Sequence, residues 1–131
     1  MIVGFTGTRE GLSAGQHKAL ATFLSTIDIV EFHHGDCVGA DAQAHDLVRK
    51  LKPAARIITH PGNSVGFSAS KVADEYDKTR DNIERNRLIV DLCRVLIACP
   101  LGPEALRSGT WSTVRYARKV RRPLVIIGRQ E

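Results

Sequence analysis

The sequence predicts an α/β fold of three layers, with helices covering both faces of a five-stranded parallel sheet. Two observations carry this. Five short apolar runs alternate with stretches of helical periodicity, and each run is nearly continuous in apolar residues, as strands buried on both faces are. The 131 residues are one domain's length. Hydrophobic residues are 43% and charged residues 25%, ordinary values for a folded chain.

Ile2-Val3-Gly4-Phe5 reads as the first strand, running into the turn Thr6-Gly7-Thr8-Arg9. Ser13 with Gln16 three residues on forms a capping box, followed by an apolar stripe at Leu20, Phe23, Leu24 and Ile27. Ile29 to His34 is the second strand, broken by Gly35. Ala40, Ala44, Leu47, Val48 and Leu51 make the stripe of a second helix, which stops before Pro53 because the residue preceding proline leaves the helical region. Arg56 to Thr59 is the third strand. Residues 62–80 break the rhythm with glycine and serine and read as one long loop, of the kind used for lids and binding. Ile83, Asn86, Val90 and Cys93 mark a third helix, with Asn86 facing inward and Arg85 and Arg87 more exposed. Val95 to Cys99 is the fourth strand. A fourth helix opens at Ser108 or Gly109, and Pro123 to Ile127 is the last strand. No repeat, low-complexity tract or second domain is visible. Right-handed crossovers then give a Rossmann-like sheet of order 3-2-1-4-5, with ligands expected beyond the carboxyl ends of the strands.

Composition narrows the function classes. No apolar run approaches the ~20 residues that span a bilayer, and the first residues read as a strand with no secretion signal. Three cysteines without a CxxC suit a reduced, cytoplasmic protein. The net charge of +5 is uneven: seven basic residues and no acid lie between Ala105 and Gln130. A basic surface attracts phosphates without identifying them.

The candidate site residues lie where strands end. Gly7 and Thr8 allow close approach of a ligand to backbone N–H groups, and Arg9 offers a forked phosphate contact. Gly35 and Gly39 permit a tight turn into the second helix, which carries Asp41 and His45 on one face. With His34 these are a thin ligand set for a metal, and no metal site is expected; Asp41 instead favours the helix start and His45 an internal hydrogen bond. Cys37 reads as a small buried thiol. An inward Asn86 must be satisfied by a neighbouring loop or a ligand. Ser108-Gly109-Thr110, with Thr113 a turn on, is a hydroxyl-rich helix start, where free N–H groups and the helix dipole favour an anion. Trp111 reads as core packing against the sheet rather than a stacking platform.

Taken together these segments resemble a known superfamily. The run from His34 to His45 is similar to the SGxAxGIDxxAH segment of the DNA-processing protein DprA (Smf), Arg85-Asn86-Arg87 to its RNRxIA, and Ser108-Gly109-Thr110-Trp111-Ser112-Thr113 to its SGSLxT. The shared group is the SLOG superfamily of Rossmann-like nucleotide-binding domains, and the chain most resembles its small stand-alone, YspA-like members. The resemblance implies a nucleotide or nucleotide-derived ligand held by Gly7, Thr8, Arg9, Gly35, Asp36, Gly39, Asp41, Arg85, Asn86, Ser108, Gly109, Thr110 and Thr113, with no resident cofactor. It also implies a homodimer or higher homo-oligomer. Two other activities in the group remain open. LOG enzymes cleave nucleoside monophosphates at the N-glycosidic bond with a PGGxGTxxE glutamate and an arginine on the preceding helix. Here Arg85 stands for the arginine, Ser112 and Thr113 stand where acids are expected, and Asp36 or Asp41 would have to substitute. DprA binds single-stranded DNA, for which the face of Arg115, Arg118 and Arg122 would supply phosphate contacts.

Overall fold

The computed structural model describes residues 1–129, and Gln130, at the end of the acid-free segment, lies outside them. Its elements are β1 (Ile2–Gly7), α1 (Ala14–Ser25), β2 (Glu31–His34), α2 (Ala40–Leu51), β3 (Arg56–Thr59), β4 (Glu75–Tyr76), α3 (Asn82–Leu92), β5 (Val95–Cys99), α4 (Gly109–Lys119) and β6 (Leu124–Ile126). All strands are parallel, in the order β4-β3-β2-β1-β5-β6. The sheet thus has six strands where five were expected. The five expected strands keep the predicted order, and β4 adds to the β3 edge.

Alternation along the central strands divides the core in two. Val3 and Phe5 of β1 with Ile97 and Cys99 of β5 face α1 and α2, packing with Leu20, Leu24, Phe32, Ala44 and Val48. Leu96 and Ala98 face the other way, toward α3 and α4, where they meet Ile89, Val90, Cys93, Trp111, Val114 and Ala117. Side chains at successive positions of a strand point to opposite faces, so one apolar run serves both layers. Burying these side chains is the main favourable term, roughly 1.5–3 kcal/mol for each large one.

The helix starts follow local chemistry. The Ser13–Gln16 capping box forms, with Ser13 Oγ accepting from Gln16 N and Gln16 Oε1 accepting from Ser13 N, both at 3.1 Å. Gln16 is itself fully buried, and its Nε2 donates to the carbonyls of Pro100 and Ile127. Ser108 caps α4 by accepting from Trp111 N.

Three expectations are corrected. The second strand begins at Glu31 rather than Ile29; Ile29 is buried while Val30 is exposed. The 62–80 segment is not a plain loop: Asp74 Oδ2 accepts from Ile57 N at 2.8 Å and from Arg49 Nη1 at 2.8 Å, aligning Glu75 and Tyr76 as an edge strand. On α3 the inner face is turned in part from that expected. Val90 and Cys93 are buried as expected, but Ile83 is 61% exposed, Arg85 is 4% exposed and Asn86 is half-buried, so the inward face is centred on Asn82, Arg85, Ile89 and Cys93 rather than on Ile83.

Candidate functional site

The chain reverses its direction of travel across the sheet between β1 and β5, and a crevice opens there beyond the strand ends. It forms a cleft of about 550 Å³. One wall is the turn after β1, with Gly7, Thr8, Arg9 and Glu10. The floor holds Gly35, Cys37 and Asp41, and α3 contributes Asn82, Arg85, Asn86 and Ile89. The far wall is the 101–108 loop with the first residues of α4.

Gly39 sets how closely these walls approach. Its φ is +86°, and a Cβ there would lie 2.3 Å from the Arg9 carbonyl oxygen. The start of α2 is thereby seated directly on the β1 turn, where Ala40 N donates to Thr8 O at 3.0 Å. Gly39 acts from behind and does not line the cleft.

Arg85 is the structural centre of the floor. Its Nη1 donates to Gly35 O (2.8 Å) and His60 O (3.0 Å), and its Nε donates to Asn86 Oδ1 (2.7 Å). A buried guanidinium needs such acceptors, and these tie α3 to the ends of β2 and β3. Asp41, 5% exposed, accepts from Gly35 N at 3.1 Å and Cys37 N at 3.3 Å, both on Oδ2. Burial pushes its carboxyl up to about 6, while the Arg85 charge and the two N–H bonds pull the other way. Cys37 is half-buried rather than buried. Burial raises its thiol, with the Asp41 charge adding to that, so the arrangement does not favour a thiolate.

At the far wall Ser108, Gly109 and Thr110 all line the cleft. The N–H groups of Gly109 and Thr110 have no acceptor among the described residues, as expected for the first positions of a helix. Thr113 does not reach the cleft; its hydroxyl donates to Gly109 O at 2.8 Å, and Ser112 is exposed. Trp111 is buried against Ala98 and Val114, with Nε1 donating to Gly102 O at 3.0 Å, which holds the 101–108 loop down.

Asp36 faces another way. It has φ +53°, and its carboxylate accepts from Ser68 Oγ (3.0 Å) and Lys71 N (3.1 Å). It anchors the 62–71 segment and lines only a small adjoining cavity. That segment places Phe67 under Arg9, whose guanidinium carbon stands 4.1 Å from the ring centroid. His34 and His45 are hydrogen-bonded to each other at 2.9 Å. Among the described residues no group of three His, Cys, Asp or Glu side chains is arranged for a metal ion.

Ten of the thirteen candidate residues therefore line one cleft, while Asp36, Gly39 and Thr113 support it from outside. Sequence reading missed Cys37, Asn82, Arg107 and the loop Leu101–Pro103 as lining residues. Asn82 was detectable: it precedes Arg85 and Asn86 by three and four positions and shares their helix face.

In sequence the chain matches no protein-family model and no curated protein. Solved structures share its fold. The molybdenum cofactor binding protein from the phototrophic bacterium Rippkaea orientalis superposes with a TM-score of 0.75 at 22% identity, over 98% of this chain and 77% of that one. DNA processing protein A (DprA) from Streptococcus pneumoniae superposes with a TM-score of 0.68 at 20% identity over 95% of this chain. The chain spans 49% of DprA's length. The fold is thus one shared with DprA, to which the sequence motifs pointed. No helix among the described residues is long and apolar enough to cross a membrane.

Proposed function

We propose that this domain binds a nucleotide or nucleotide-derived small molecule in the cleft between β1 and β5, with its phosphate at the start of α4. The observation that carries the reading is convergence. The free N–H groups of Gly109 and Thr110, the Thr8–Arg9 turn and Arg85 all border one cavity of about 550 Å³, within the range of small-molecule sites. One fold neighbour binds a cofactor and another processes DNA, which agrees with a phosphate-bearing ligand.

The two alternatives are less well supported. A LOG-like N-glycosidase needs a carboxylate near the α4 start, and Ser112 and Thr113 supply none; Asp41 is the buried carboxylate of the cleft. A DprA-like single-strand binder needs free cations on α4. Arg115 and Arg118 instead pair with Glu104, at 3.3 and 3.1 Å.

A thermal-shift screen of nucleoside mono-, di- and triphosphates tests the reading. A ligand at 100 times its Kd adds about 2.7 kcal/mol, raising the melting temperature by roughly 10 °C, and Arg9→Ala should diminish the shift. No shift with any nucleotide rejects the proposal. Release of free base from a monophosphate at an enzyme-like rate, lost in Arg85→Ala, favours the glycosidase.

A further inference from the structure

Asp41 and Arg85 flank the same patch of backbone on the cleft floor without pairing. A Cβ placed on Gly35 would lie 2.6 Å from Arg85 Nη1 and 3.1 Å from Asp41 Oδ2. Yet the guanidinium donates to two carbonyls, to Asn86 and to Cys37 Sγ, and Asp41 takes its hydrogen bonds from the Gly35–Cys37 turn, two from backbone N–H groups and one from the Cys37 side chain. Buried opposite charges this close ordinarily pair directly, since each otherwise bears its own desolvation.

The second oxygen of Asp41 accepts from no backbone N–H and no guanidinium N–H, although the Cys37 thiol also bonds the carboxylate. It is also absent from the sealed polar atoms without a partner, which are Thr59 Oγ1, Asn82 Oδ1 and Arg122 Nε. Oδ1 therefore opens into the cleft. The turn itself does not require a carboxylate, because the side-chain oxygen of an asparagine would accept the Gly35 and Cys37 N–H groups equally well. Both the charge and the open oxygen are surplus to the fold. Around them the cleft offers mainly donors, with Glu10 exposed at the rim.

We propose that Asp41 Oδ1 accepts a hydrogen bond from a hydroxyl group of the bound ligand, so that the cleft selects a sugar phosphate over phosphate alone. The inference rests on the nucleotide reading and assigns the ligand's two ends: the anion to the α4 start, the sugar hydroxyl to Asp41. Recognition is then linked to ionisation of Asp41. Its charged and titratable neighbours are Arg85 on α3, Cys37 in the turn and Cys99 at the end of β5, with Arg9 across the cleft. Asp41 is the group that changes charge between pH 5 and 7.5, since burial raises both thiols.

Calorimetric titration with ribose 5-phosphate, inorganic phosphate and adenosine monophosphate, at pH 5 and 7.5, tests this on the wild type and Asp41→Asn. Asparagine keeps the acceptor for the turn, so the variant should fold. At pH 7.5 the wild type should bind ribose 5-phosphate about tenfold tighter than inorganic phosphate, the effect of one hydrogen bond to a charged group. That preference should shrink at pH 5 and be absent at both pH values in Asp41→Asn. The ligand's own phosphate ionisation is common to both proteins and cancels in the comparison. If the variant keeps the wild-type preference and pH profile, or the wild type has no preference, Asp41 is not the reader while the nucleotide reading stands. If none of the three probes binds, the sugar-phosphate assignment falls, and the nucleotide reading falls with it only when the thermal-shift screen is also blank.

Discussion

His34 donates to His45, with 2.9 Å between His34 Nε2 and His45 Nδ1, and the direction of that bond is set two residues away. Asp36 N donates to His34 Nδ1 at 2.9 Å, so the ring proton of a neutral His34 sits on Nε2. His45 then accepts on Nδ1 and keeps its proton on Nε2. Nothing in this arrangement accommodates a second proton on His34. Burial holds the ring well below the usual histidine range, and the neighbouring His45 adds to this.

Acid should therefore destabilise the domain before its paired carboxylates titrate. Because the folded His34 resists protonation, the unfolded chain gains protons first as pH falls below about 6.5. His45 and His60, also lowered by burial, act in the same direction. Urea denaturation at pH 7.5 and 5.5 should show a loss of about 1 kcal/mol per histidine at most, offset in part by Asp41, whose raised carboxyl favours the fold as pH falls through about 6. His34→Gln, less stable at neutral pH, should show a flatter dependence.

Two glycines of the site should respond oppositely to alanine. Gly39→Ala forces a side chain to φ +86° and against the Arg9 carbonyl, and should cost about 2–4 kcal/mol. Gly109→Ala meets no atom within 4 Å and improves helix propensity, a gain of up to about 1 kcal/mol. Thermal melts check both. The same Gly109→Ala protein should bind nucleotide more weakly, because the added methyl obstructs the α4 start.

Asp41→Asn should be more stable than the wild type at pH 8. The folded carboxyl is raised to about 6 from 3.8, so its burial favours the fold at low pH and that benefit disappears as pH rises through 6. The neutral variant avoids the loss, a difference on the order of 2–3 kcal/mol at pH 8 that vanishes near pH 4. Denaturation curves at both pH values measure it. A less stable variant at pH 8 would mean that the Asp41 charge is needed to balance Arg85.

Single-stranded DNA should bind weakly at moderate salt. Arg115 donates to Glu104 and to the carbonyls of Ala105 and Leu106, so it holds the loop rather than presenting free charge. Filter binding of wild type and the triple change Arg115→Ala, Arg118→Ala, Arg122→Ala should give similar affinities and a shallow salt slope. A steep slope that the triple change flattens would mark a phosphate-binding face.

What the sequence determined by itself was local. Apolar runs and the caps at Ser13 and Ser108 specify strands and helix starts through interactions spanning a few residues. Their alternation, with right-handed crossovers, was enough for the sheet order and for placing the candidate turns at strand ends. Tertiary structure decided the rest. β4 is only two residues long, too short for any periodicity, and exists because Asp74 bonds to Ile57 and Arg49 across the edge. On α3, Val90 and Cys93 were legible as inward residues, but the first turn was not: Ile83 suggests the inner face, yet Arg85 takes it because Gly35 and His60, 50 and 25 residues away, bring carbonyls to it. Which buried charges find partners and which, like Asp41, are left facing a cleft depends on backbone groups from distant segments, and pattern along the chain carries no record of them.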